Sequence, residues 1–156
     1  MDRADHRAAV GILEQVGEAL GRDRAGARAL LESLWATVGD DGDPLHRCAI
    51  AHSLADVQDA PQDELLWDLR ALAAGRELTD ERVAEAGILG PSAAFFPSLH
   101  LNLADVYRRL GDPARSREHV AAGRAAIGSL QPDGYREMIE GGFDRIEAAL
   151  EDRSAG

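Results

Sequence analysis

Apolar residues recur every three or four positions along most of this chain, and turn-forming residues cut the pattern into segments of helical length. Val10, Ile12, Leu13, Val16 and Leu20 keep mostly to this spacing between Asp5 and Leu20, and Gly21 stops the segment. Asp23 to Val38 predicts a second helix, with Ala27, Leu30, Leu31, Leu34 and Val38 on one face and Trp35 at its edge. Gly39 to Asp43 form an acidic turn, and Pro44 at a first helical position opens a third helix over Leu45 to Gln58. The turn Ala60-Pro61-Gln62-Asp63 follows, then a helix from Glu64 to Ala74 carrying Leu65, Leu66, Trp67, Leu69 and Leu72. Gly75 to Pro97 is the least regular stretch. Thr79 or Asp80 caps a short helix there with Val83 and Ala86 facing inward, and Gly87 and Gly90-Pro91 break it. The next helix starts either at Ser92, with a kink at Pro97, or at Pro97 itself.

Residues 99 to 127 are the best-punctuated part of the chain. Gly111 suits the left-handed conformation that ends a helix, Asp112 caps the next one, and Pro113 takes a first position where no amide donor is needed. Two helices folded back on each other follow. After Ile127, Gln131-Pro132-Asp133-Gly134 makes another turn and helix start. Tyr135, Met138, Ile139, Phe143, Ile146 and Leu150 then track one face towards Glu151-Asp152-Arg153, which form a polar end. Gly141-Gly142 in that helix points to close packing against a neighbour, with a hinge or a ligand approach as the alternatives. These elements predict one all-α domain over residues 1–156, built of about seven to eight helices in antiparallel helix-turn-helix pairs.

Within 99–127 the residues His100, Leu103-Ala104, Tyr107, Gly111, Ser116 and Val120 stand at the offsets of large, small and turn positions in a helical repeat. Small side chains at Ala104 and Ser116 let the helices approach, while Leu103 and Tyr107 fill the space beside them. Leu54-Ala55-Asp56-Val57 recurs as Leu103-Ala104-Asp105-Val106, 49 positions later. On these residues the chain resembles the tetratricopeptide repeat family, and in particular small tetratricopeptide-like proteins of high-GC bacteria. The departures are His100 where Trp is usual, Gly123 where Ala is usual, and a late proline at Pro132. In the earlier hairpin the turn is about three residues short, and Glu64 falls where Ala is expected.

The resemblance implies a right-handed stack of helix pairs whose first helices line a concave groove that binds peptides or partner proteins. Groove positions carried over from the family are Ala49, His52 and Asp56 in one hairpin, and Ser98, Leu101, Asp105, Arg108 and Arg109 in the other. Asp56 and Asp105, in a shared groove, would favour a basic or amine-bearing ligand, with Arg108 or Arg109 holding a carboxylate. The simpler alternative is that Asp105 pairs with Arg108 or Arg109 on its own helix, three or four residues on.

Composition narrows the function classes. The 156 residues are 45% hydrophobic but only 4% aromatic, and Ala, Leu, Arg and Glu favour helix. All 17 basic residues are arginine, a bias of high-GC bacterial genomes. A net charge of −11 argues against nucleic acid and against an anionic membrane surface. No run approaches the roughly 20 apolar residues of a membrane-spanning helix, and the charged start from Met1 to Arg7 lacks a signal core, so a cytoplasmic location is expected.

Candidate chemistry is sparse. Cys48, the only cysteine, cannot form an internal disulfide, and it shares a helix face with His52, two ligands of the four a tetrahedral metal site needs. A buried small thiol and a packed or groove-lining histidine is the better reading, and no metal or cofactor is expected. His119 follows Glu118 on a polar face and reads as solvated; His6 is terminal. Neither Cys48 nor any serine sits in a nucleophile motif, the Gly39–Asp43 loop lacks the EF-hand pattern, and no phosphate-cradling glycine loop is present.

The expected function is therefore a non-enzymatic interaction module that binds a peptide segment or partner protein. The alternative is an all-α small-molecule-binding protein or accessory metabolic enzyme using groove His and Asp residues. A third reading is a homo-oligomer burying Phe95-Phe96 or the last helix.

Overall fold

Prolines and capping side chains open most of the helices. The computed structural model describes residues 3–154, with side chains described for residues 11–152. The charged start at residues 1–7, together with the side chains of His6, Val10 and Arg153, therefore lies outside the described side chains. Among the described residues the chain is all-helical, with eight α-helices and two short 3-10 turns. It divides into two compact units, Met1–Ile88 and Leu89–Gly156.

The first unit holds α1 (Arg3–Leu20), α2 (Arg24–Val38), α3 (Pro44–Asp56), α4 (Pro61–Arg76) and α5 (Asp80–Glu85). Asp23 caps α2 by accepting from the Gly26 amide at 2.7 Å, Asp43 caps α3, and Thr79 caps α5 by accepting from the Arg82 amide at 3.1 Å. Pro61 is itself the first residue of α4, three residues before the start that the turn signal predicted. Val16 and Ala19 of α1, Leu31 and Leu34 of α2, and Ile50 and Leu54 of α3 form the core. Ala19, not Leu20, turns inward; Leu20 is exposed. Beside this core Trp35 and Trp67 meet edge to face with centroids 5.0 Å apart, and Arg70 lies over Trp67. Such a pair contributes about 0.5–1.5 kcal/mol beyond burial. Arg24 of α2 ties down the end of α3 and the turn after it, its guanidinium donating to the carbonyls of Asp56 and Gln58.

The second unit begins with a 3-10 turn (Ser92–Phe95) that runs straight into α6 (Phe96–Arg109), so both expected start points belong to one continuous entry with Pro97 in the first turn. Then come α7 (Pro113–Ala126), a 3-10 turn (Ile127–Ser129) and α8 (Gly134–Ser154). At the α6–α7 turn Gly111 has φ +79°, Asp112 accepts from the Arg115 amide at 3.0 Å, and Pro113 opens α7. The Ser116 hydroxyl donates to the Ala104 carbonyl at 2.7 Å, and both residues are fully buried, so the two small positions are where the helices meet. Ala104, Val120, Leu130, Ile139, Phe143, Ile146 and Leu150 form this unit's core. Of the six residues expected on the α8 stripe, Ile139, Phe143, Ile146 and Leu150 are buried, whereas Tyr135 and Met138 in the first turns are exposed.

Candidate functional site

The two copies of Leu-Ala-Asp-Val occupy different positions in their helices. Pro61 follows Asp56 by five residues, whereas Pro113 follows Asp105 by eight. Asp56 is therefore the last residue of α3, while Asp105 has another turn of α6 beyond it. That extra turn supplies Arg108 and Arg109. Arg108 donates to Asp105 Oδ1 at 2.9 Å and Arg109 Nε donates to Oδ2 at 3.0 Å, so the carboxylate is held on both oxygens by its own helix. All three side chains are partly exposed, which limits each pair to about 0.2–1 kcal/mol.

Asp56 has a different surrounding. Partial removal from water raises its carboxyl above the ordinary range; the His52 charge works against this, Glu64 adds to it and Arg24 opposes it. His52 and Asp56, with Ala49, belong to the first unit; Ser98, Leu101, Asp105, Arg108 and Arg109 belong to the second. Ser98 serves the helix entry, donating to the Phe95 carbonyl at 3.2 Å.

In the second unit, Leu101, Asp105 and Arg108 line a concavity of about 420 Å³ between α6 and α8. Gly142, Arg145, Ile146 and Ala149 of α8 form its other wall. Gly142 sets the spacing: a Cβ on it would lie 2.8 Å from Leu101 Cδ2, closer than side-chain atoms pack. Close packing, the first of the explanations expected for the glycine pair, accounts for Gly142. The concavity is open to solvent, with a floor of Leu101, Ile146 and Ala149 and a polar rim of Asn102, Asp105, Arg108 and Arg145. Arg145 is exposed and makes no hydrogen bond or ion pair among the described residues, so its charge is available to a ligand. Sequence reasoning missed it because α8 carries no repeat motif.

The remaining candidates serve packing. Cys48 is buried, and burial pushes its thiol up to about 12, far from a nucleophile. Among the described residues no group of three or more His, Cys, Asp or Glu side chains is placed to hold a metal ion. His119 departs from its expected solvated position: it is half-buried, with its Nδ1 3.0 Å from Nδ1 of buried His100 and its ring stacked on Tyr107. Residues 19 apart made this contact invisible to helical spacing. Phe96, one of the aromatics considered for a subunit contact, stacks on His100 within its own unit.

No protein-family model, no curated protein and no solved structure matches this chain. The likeness to tetratricopeptide repeats thus rests on the chain's own residues. No helix among the described residues is long and apolar enough to cross a membrane.

Proposed function

We propose that the protein is a non-enzymatic interaction module of the tetratricopeptide-like kind, taking a peptide segment of a partner protein in the concavity between α6 and α8. The observation that carries this reading is the lining of that concavity. An apolar floor of Leu101 and Ile146 provides area for burial, and Arg145 provides a cation with no ion-pair partner among the described residues. Asp105 is already neutralised by Arg108 and Arg109, so the fitting ligand is a segment that brings a carboxylate to Arg145 and an apolar side chain to the floor. The chain's net charge of −11 opposes such a ligand at long range, but salt at physiological strength screens that repulsion beyond about 8 Å. A small-molecule or catalytic reading calls for an enclosed cavity lined by His52, His100, Asp56 and Asp105. This concavity is open, and of those four residues only Asp105 lines it.

Titration of the ¹⁵N-labelled full chain with short synthetic peptides, acidic-apolar and basic-apolar, tests the proposal. Acidic peptides are expected to move the amide signals of Leu101, Arg145 and Ile146, and Arg145→Glu is expected to weaken them about tenfold, the equivalent of about 1.4 kcal/mol. Absence of any shift at α6 and α8 with either peptide class would remove the assignment.

A further inference from the structure

Helix α4 is apolar on two opposite sides. Ala71, Leu72 and Ala74 are buried, while Leu66, Leu69 and Ala73 face outward, Leu66 at 48% and Leu69 at 38% exposure. A helix with apolar residues on its outer side as well as its inner one is ordinarily covered on both. The outward residues are in register. Gln62, Leu66, Leu69, Ala73 and Arg76 follow one another at alternating steps of four and three, the seam spacing by which one helix packs along another, and every one of them is exposed.

Charges along the seam decide what it fits. Asp63 and Arg70 stand on the same side of it, two turns and so about 10 Å apart, too far to pair with each other along the helix. Neither has an ion-pair partner among the described residues. Arg70 is nevertheless held in place, with its guanidinium 4.5 Å from the centre of the Trp67 ring and 5.8 Å from that of Trp35. Stacking on an aromatic face leaves the N–H edge of a guanidinium available to a carboxylate.

We infer that the outer face of α4 is a pairing surface for a second copy of this chain, the two α4 helices running antiparallel about a two-fold axis. Turned end for end, the seam matches itself: Leu66 of each copy meets Leu69 of the other, Gln62 meets Ala73, and the Asp63 carboxylate comes to the Arg70 guanidinium, twice by symmetry. A patch with an acid at one end and a base at the other is its own complement. A uniformly acidic or uniformly basic partner satisfies one of the two charges and faces the other with its like. Parallel pairing fails on the same ground, because it sets Asp63 against Asp63 and Arg70 against Arg70.

The contact is small. Its residues are fewer than the about 20–30 a side of a standard interface, so association is weak, with a Kd on the order of 100 µM. Each copy carries a net charge of −11, which opposes pairing at low salt and is screened beyond about 8 Å at about 0.15 M. The surface belongs to the first unit alone, so this inference does not depend on the peptide site of the second.

Sedimentation equilibrium of the full chain at about 0.15 M salt, from about 10 µM to about 1 mM, tests the inference, with circular dichroism to establish that each variant keeps its helices. The wild type is expected to pass from monomer to dimer over this range. Asp63→Arg and Arg70→Glu each put like charges together, and each is expected to weaken the dimer at least about tenfold. Mixed in equal amounts, the two variants are expected to associate again, since every contact then joins a guanidinium to a carboxylate. Leu69→Glu, which places a carboxylate in the apolar centre without touching the tryptophan contacts of Arg70, is expected to abolish the dimer. A wild type that stays monomeric throughout would overturn the inference and leave the seam to a different partner. A dimer that these variants leave unchanged, or helical variants that stay apart when mixed, would overturn it equally.

Discussion

The Phe143 ring of α8 occupies the space beside Gly123 of α7 that a methyl group there would need. A Cβ on Gly123 would collide with Phe143 Cζ and lie 2.8 Å from Cε1 and 3.1 Å from the Cβ of His100. This explains why the chain has glycine where the repeat pattern has alanine: the last helix packs through the vacancy.

Gly123→Ala is accordingly expected to destabilise the second unit. Overpacking costs about 1–3 kcal/mol, more than the roughly 1 kcal/mol that alanine returns in helix propensity. Gly141→Ala is the control, because its Cβ would lie 3.4 Å from the mobile end of Arg145. That variant is expected to gain about 0.5–1 kcal/mol. Urea denaturation followed by circular dichroism measures both, and equal shifts of the two midpoints would discard the packing argument.

Asp43 couples the α3 cap to α5. Its carboxylate accepts from the Leu45 amide at 2.9 Å and from Arg82 Nε at 2.8 Å. Burial works to raise this carboxyl, but the Arg82 hydrogen bond, the His46 and Arg82 charges and the Leu45 amide together hold it below the ordinary value. Because its folded pKa is depressed, Asp43 contributes stability above the ordinary carboxylate range and loses it as pH falls through the folded value. Asp43→Ala is expected to cost about 1 kcal/mol at pH 7, and the difference from wild type is expected to shrink below about pH 4. Thermal melts at pH 7 and pH 3.5 check the sign.

Cys48 is 3% exposed and its thiol is pushed up to about 12. Alkylation of the folded protein at pH 8 is expected to be at least about a hundredfold slower than in 8 M urea, since only the thiolate reacts and burial denies it both charge and access. Mass spectrometry of the alkylated chain over time gives both rates. Comparable rates would place Cys48 at an accessible site.

Asp105→Ala separates two roles for the Asp105–Arg108–Arg109 cluster. Loss of two partly exposed pairs is expected to change stability by no more than about 2 kcal/mol. Removal of the Asp105 carboxylate from the rim takes away a like charge and is expected to tighten acidic peptides several-fold. Weaker binding of basic peptides, with acidic ones unaffected, would instead make Asp105 the recognition group.

The helices and most of their ends were legible in the sequence because capping is local. Asp23, Asp43, Thr79 and Asp112 each bind amides two or three residues ahead, and Pro44 and Pro113 fix the backbone at their own positions. The contact of Ala104 with Ser116 was legible too, since a short turn forces two small residues at those offsets to face each other. The repeated Asp56 and Asp105 stand differently in their helices for the same local reason: α3 ends at Asp56, whereas α6 runs on to Arg109 beyond Asp105.

By itself, then, the sequence determined an all-helical chain, its turns and the α6–α7 hairpin, all of which depend on residues within a few positions of one another. Tertiary structure alone decided that Gly123 admits Phe143, that Arg145 faces Leu101 across an open concavity, and that His119 meets His100 end to end. Each of these depends on where one helix surface lies against another, a relation set by the packing of whole faces and carried by no short motif.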